Sequence, residues 1–155
     1  MTRQKPSKQN KKKLPKNYGK NTKISKVPKV SKSFEERYPK NPVWQLGDID
    51  LDGPFGWRGL EIDFLLSEIL PKIQNFESMK WSEILGPNNH EVRISGICSE
   101  AQKRLAKLGL DDLERLVSLR LTGPKRLWGI KNHNTMRILW WDPDHKVFPS
   151  KLKHT

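Results

Sequence analysis

The sequence predicts an α+β fold, with helices packed on one face of a small antiparallel sheet and a disordered basic tail in front of them. Three observations carry this prediction. Apolar residues between positions 60 and 108 recur at helical spacing, whereas those after 116 recur every second residue. Helical and strand signals come in blocks and do not alternate, which argues against a parallel α/β sheet. Finally, the first 34 residues hold 12 Lys/Arg and no Asp/Glu, within a chain of 155 residues and net charge +13. Residues 35–155 are therefore nearly neutral, and they are numerous enough to bury the core of a single domain.

The tail is made of Lys, Asn, Ser, Gln and Pro, too polar to repay the entropy of ordering. Lys20, Lys23, Lys26, Lys29 and Lys32 recur every third residue, the repeat of an extended polyproline helix, and Pro28 favours extension. A ridge of ammonium groups at that spacing suits a phosphate backbone and predicts salt-sensitive, sequence-blind contact with RNA. The plainer reading is a solubilising segment.

Acidic residues first appear near Phe34 to Tyr38, and Pro39 and Pro42 end the linker. Residues 43–48 read as a short strand and 50–56 as a loop. From Leu60, the residues Ile62, Leu65, Leu66, Ile69, Ile73 and Phe76 mark a helix that Pro71 should kink or split. Ser78 can cap a short turn carrying Trp81, Ile84 and Leu85, ended by Gly86-Pro87. A short strand at 92–94 precedes Ser99 and Gln102, which form a capping box for a helix that Gly109 closes. Asp111, Asp112 and Glu114 repeat the cap-plus-acid pattern and predict one more helical turn.

After this the period falls to two. Residues 117–122, 126–130 and 135–141 read as three antiparallel strands within a meander spanning about 117–148, with turns at Gly123-Pro124 and at Asn132, His133 and Asn134. Asp142-Pro143 opens a further turn that ends at His145. Strict alternation would put Met136, Ile138 and Trp140 on one face and Arg137, Leu139 and Trp141 on the other. It would leave Arg120 and Arg137 on a polar face with aromatic surface beside them. Guanidinium pairs bidentately with phosphate and bases stack on rings, so this face suits RNA. Against that stands the ordinary reading, in which the arginines are solvent-facing and the tryptophans are core.

Composition also excludes classes. No run of about 18 apolar residues occurs, so no membrane partner is expected. A single cysteine, Cys98, permits neither an internal disulfide nor a Cys-x-x-Cys metal site, and no secretory signal is visible. A cytoplasmic protein without metal or other cofactor is the expectation. Asp142, Asp144 and His145 lie too close together in one turn to converge on an ion, and His90 and His133 fall in predicted loops with no partner in view.

The stretch Arg120-Leu121-Thr122, then Lys125-Arg126-Leu127-Trp128, then Arg137-Ile138-Leu139-Trp140-Trp141, ending at His145, resembles the RelE/ParE superfamily of bacterial toxins, and within it the YoeB/HigB branch. The likeness covers roughly residues 44–148 and is sharpest after Arg120. It implies a RelE-like fold and a metal-independent endoribonuclease that cuts mRNA by attack of the 2′-hydroxyl on the adjacent phosphate. Carried over, Arg126 would hold the scissile phosphate and His145 would protonate the leaving 5′-oxygen. Arg120 and Lys125 would be further phosphate ligands, with Arg137 a weaker one. The family's terminal tyrosine is missing, and Trp141 or Phe148 would stack on the base instead; Glu114 is the nearest carboxylate to the family's base. RNA or the ribosome, and an acidic antitoxin protein, are the partners so implied. Two rival classes remain: a non-catalytic RNA- or ribosome-binding protein using the same sheet, and a ParE-like protein that binds a protein partner through the helices around 60–76.

Overall fold

A computed structural model describes residues 40–149. The basic segment 1–34, with Lys20, Lys23, Lys26, Lys29 and Lys32, lies outside the described residues. The described part is α+β, with five strands in one sheet: β1 (Val43–Gln45), β2 (His90–Arg93), β3 (Arg115–Arg120), β4 (Arg126–Asn132) and β5 (Thr135–Asp142). Across the sheet the order is β1-β5-β4-β3-β2. The last three strands form the meander expected from the period-two pattern. Its tight turns need left-handed backbone, supplied at Gly123 (φ 55°) and at His133 (φ 52°). The sheet is mixed rather than antiparallel, because β1 runs parallel to β5, pairing Val43 with Thr135 and Gln45 with Arg137.

A second correction concerns the layers: helices cover both faces of the sheet. Leu116, Trp128, Ile130, Leu139 and Trp140 pack with Ala101 and Leu105 of one helix. Val117, Leu119, Leu127, Met136, Ile138 and Trp141 pack with Ile69, Phe76, Trp81 and Ile84 from others. Adjacent residues such as Leu116 and Val117 are both buried but point to opposite faces, as pleating requires. The polar face expected from Arg120 and Arg137 therefore does not extend over the sheet. Arg120 is exposed only because it ends its strand.

A bulge accounts for a further departure. Trp128 pairs with Trp140 but Gly129 pairs with Ile138, so Leu139 is an extra residue on β5. Leu139 and Trp140 consequently share one cluster, and Trp141 joins Met136 and Ile138 in the other, which breaks the strict alternation read from sequence. Gly129 makes the bulge tolerable: a Cβ there would collide with the carbonyl oxygen of Arg137 and come within 2.7 Å of the Met136 methyl. Gly129→Ala is expected to destabilise the fold by about 1–3 kcal/mol, the usual range for overpacking. A denaturant midpoint unchanged from the parent would contradict this.

On the second of those faces lies α1, made of Ile62–Phe64, a π-helical stretch Leu65–Ile69, and Leu70–Glu77. Pro71 has no N–H and its ring crowds the carbonyl four residues back; the wider turns just before it relieve both problems, so the chain stays helical through the proline. The short α2 (Trp81–Ile84) follows. It begins at Lys80, whose N–H donates to Glu83 Oε2 at 2.7 Å, whereas Ser78 closes α1 instead of opening α2. On the other face is α3 (Ser99–Lys107), capped by Cys98 Sγ, which accepts from the Ala101 N–H at 3.4 Å; the expected Ser99 cap is displaced by one residue. Residues 111–114 form a turn and extended chain, not a helical turn, because β2 already pairs with the strand that starts at Arg115.

Asp50 ties the layers together. Its buried carboxylate accepts two bonds from Arg104 of α3 (2.8 and 2.7 Å), one from Trp140 Nε1 (3.0 Å) and one from the Gly53 N–H (3.2 Å). Each lone pair thus has a donor, which is the condition for burying a charge without a net penalty.

Candidate functional site

The register of β3, β4 and β5 places Arg120 opposite Arg126 and Arg126 opposite Asp142. Cross-strand partners share a face, so three charged side chains stand in a row at one end of the sheet, on the α3 face. Asp142 is nearly fully buried and anchors the turn that follows it. Its carboxylate accepts from the N–H groups of Lys146 (2.9 Å) and Val147 (3.0 Å) and from Trp128 Nε1 (3.2 Å). These bonds fold residues 142–147 back over the sheet end, and they hold His145 in left-handed backbone with φ 58°. A non-glycine residue in that region is uncommon and places the imidazole deliberately.

His145 is half-buried, and its pKa lies below the ordinary histidine value of 6.5. Burial is the main cause. The guanidinium of Arg126 adds to it, Asp142 opposes it, and His90 and Arg120 lower it further. One imidazole therefore senses Arg126, Asp142, His90 and Arg120 together.

Arg126 is itself unusual. Its Nη1 donates to the carbonyls of Gly123 (2.9 Å) and Lys125 (3.0 Å), and it forms no ion pair with any described residue. Burial and then Arg120 push its pKa down, against the pull of Asp142. Arginine stays charged at any physiological pH, so the result is a partly desolvated cation beside a second cation. Arg120 is exposed, with Nη1 donating to Asn88 Oδ1 at 2.9 Å while its backbone N–H donates to Asn89 Oδ1 at 2.8 Å. Two guanidiniums and an imidazole around open surface can hold an anion and move a proton.

Other residues singled out in the sequence lie elsewhere. Lys125 turns to the opposite face, its Nζ 5.3 Å from the Phe64 ring centre, and Phe64 packs on Trp141 at 5.0 Å between ring centres. Neither Lys125 nor the buried Trp141 faces the row that holds Arg126, so a stacking role for Trp141 has no surface to work from. Arg137 is taken up by Asp48 in a bidentate pair (2.7 and 2.8 Å), five residues along β5 from Asp142. At about 3.3 Å per residue that is roughly 16 Å from the row. Glu114 is spent in chain that pairs its carbonyl with the Ile94 N–H, before β3 begins.

His90, set aside in the sequence as a loop residue without a partner, belongs with this group instead. His90 opens β2 opposite Ser118, on the same face as Arg120, and contributes to the field at His145. No local pattern marks it. Only the pairing of β2 with β3 brings it in, and the sequence placed that strand two residues too late. Among the described residues, no group of three His, Cys, Asp or Glu is arranged to hold a metal ion, and no helix is long and apolar enough to cross a membrane.

Compared with known proteins, the chain matches no family model, no curated protein sequence and no solved structure. Site geometry alone must therefore carry the functional reading.

Proposed function

We propose that this protein is an endoribonuclease of RelE-like toxin type that cleaves RNA by attack of the 2′-hydroxyl on the adjacent phosphate. The observation that carries the proposal is the partly buried guanidinium of Arg126, which forms no ion pair with any described residue and stands beside Arg120 and His145. Partly burying one cation beside a second disfavours folding, and an anionic substrate group is what would reward it. A phosphate bridging Arg126 and Arg120 would have its developing negative charge met by donors already in position. His145 would move the proton. The resemblance implied a proton donor, but the free site favours the neutral imidazole at neutral pH. In this reading His145 therefore starts as the acceptor of the 2′-hydroxyl proton. The antiparallel meander with Arg126 at the start of its central strand supports the RelE-like reading, and RNA or the ribosome is the proposed partner.

The test is incubation of the full chain with translating ribosomes and with naked RNA, followed by mapping of the ends. Cuts bearing 2′,3′-cyclic phosphate, lost in His145→Ala, are expected. If no cut appears with either substrate while the protein is folded, the reading falls. Weight would then pass to a protein-binding role. That second reading has its own support, because Ile62, Leu66 and Leu70 of α1 are 64, 57 and 39% exposed at successive helical turns. An antitoxin-like partner is the proposed occupant.

A further inference from the structure

We propose that His90 is the second proton-transfer group of this site, protonating the departing 5′-oxygen while His145 takes the proton of the 2′-hydroxyl. The proposal rests on the ribonuclease reading above and deepens it. In-line displacement at phosphorus puts the attacking and leaving oxygens on opposite sides of the phosphate, so a base and an acid must reach it from opposite directions. Two imidazoles on different elements are at hand for this. The row of charged side chains runs from Arg120 on β3 to Arg126 on β4 to Asp142 on β5. His90 stands on β2, next to β3, whereas His145 stands in the turn that follows β5 and folds back over the sheet end.

The register fixes the face. His90 pairs with Ser118, Ser118 with Trp128, and Trp128 with Trp140, one row further from the open end. Cross-strand partners share a face, and Ser118 and Arg120 are two residues apart on one strand, so His90 lies on the arginine face. Its neighbour Glu91 turns to the other face, where it meets Arg115 at 3.4 Å, and so does not compete for the imidazole. Among the described residues, the charged and titratable groups that act on His145 include Arg126 of β4, Asp142 of β5, His90 of β2 and Arg120 of β3. On His90's own row the neighbour is the hydroxyl of Ser118, buried and without a hydrogen-bond partner among the described residues.

The step balances. The 2′-hydroxyl gives its proton to His145 and its oxygen forms a bond to phosphorus. The bond from phosphorus to the 5′-oxygen breaks, and that oxygen takes a proton from the His90 imidazolium. The products are a 2′,3′-cyclic phosphate and a 5′-hydroxyl, and the two imidazoles return to their starting states by exchange with water.

The experiment compares the full chain with His90→Gln and His90→Asn on two substrates. One is a single-stranded RNA oligonucleotide; the other is the same oligonucleotide with sulfur in place of the bridging 5′-oxygen, a leaving group that departs without a proton. Each variant is expected to cut the natural substrate about 10²-fold more slowly, the low end for loss of a general acid, and to regain near-parental rates on the sulfur substrate. His145→Gln should be slow on both. Parental rates on the natural oligonucleotide, or equal losses on both substrates, would overturn the role of His90 while leaving the ribonuclease reading intact. A parent that cuts neither oligonucleotide, and no RNA on translating ribosomes, would overturn both.

Discussion

Arg126→Ala is expected to lower RNA cleavage by about 10²–10³-fold, the loss found when one preorganised donor to a developing anion is removed. The same substitution is expected to leave the melting temperature unchanged or raise it. The two effects part company because the folded protein holds Arg126 in surroundings that disfavour its charge, through burial first and Arg120 second. Removing that cation relieves the fold and disables the site, the trade found where function is placed at the expense of stability. Arg126→Lys should recover only part of the rate, since an ammonium cannot make the paired bonds of a guanidinium. If cleavage survives Arg126→Ala and the protein melts several degrees lower, Arg126 is a structural residue.

The second large effect is on stability. Asp50→Ala removes the acceptor for Arg104, Trp140 and the Gly53 N–H at once. Breaking a buried pair from one side costs about 3–5 kcal/mol. For a domain of this size, that corresponds to a fall in melting temperature of roughly 10 °C or more. The pH dependence follows from the hydrogen bonds of Arg104, which outweigh burial and hold the Asp50 carboxyl below its ordinary value of 3.8. Above 3.8 the carboxylate is ionised in both folded and unfolded chains and its full contribution is present. As pH falls below 3.8 the unfolded chain takes up the proton first, and the contribution is lost as pH passes through the folded value. The parent should therefore lose stability more steeply in acid than Asp50→Ala does. Parallel acid curves would contradict the assignment.

Much of the fold could be read from residue periodicity, and the reasons for the rest are local. The meander after residue 115 was legible because turns at Gly123 and His133 interrupt strands rich in apolar residues. Its faces were misread because one extra residue, Leu139, resets the alternation, and a bulge leaves no mark in sequence beyond the glycine at 129. The parallel pairing of β1 and the second helical layer depend on contacts across some 90 residues, such as Val43 with Thr135, which no local pattern encodes. At the site, Arg120 was singled out by strand alternation and Arg126 and His145 by the family resemblance; the register sets Arg120 opposite Arg126, and the charge of both acts on His145. Lys125 came with them through the resemblance, although its odd position turns it to the α1 face, and Trp141 was put on the arginine face by an alternation that the extra residue Leu139 resets. Arg137 looked free only because Asp48, 89 residues away in the chain, could not be seen as its partner.

At the end of the sheet the His145 imidazole and the guanidiniums of Arg126 and Arg120 act on one another's charge. An NMR titration of the His145 ring in the full chain tests it most directly. The midpoint should lie below 6.5, rise in Arg126→Ala, and rise also when inorganic phosphate is added to the parent. A ring that titrates at the ordinary value, indifferent to both Arg126 and phosphate, would contradict it.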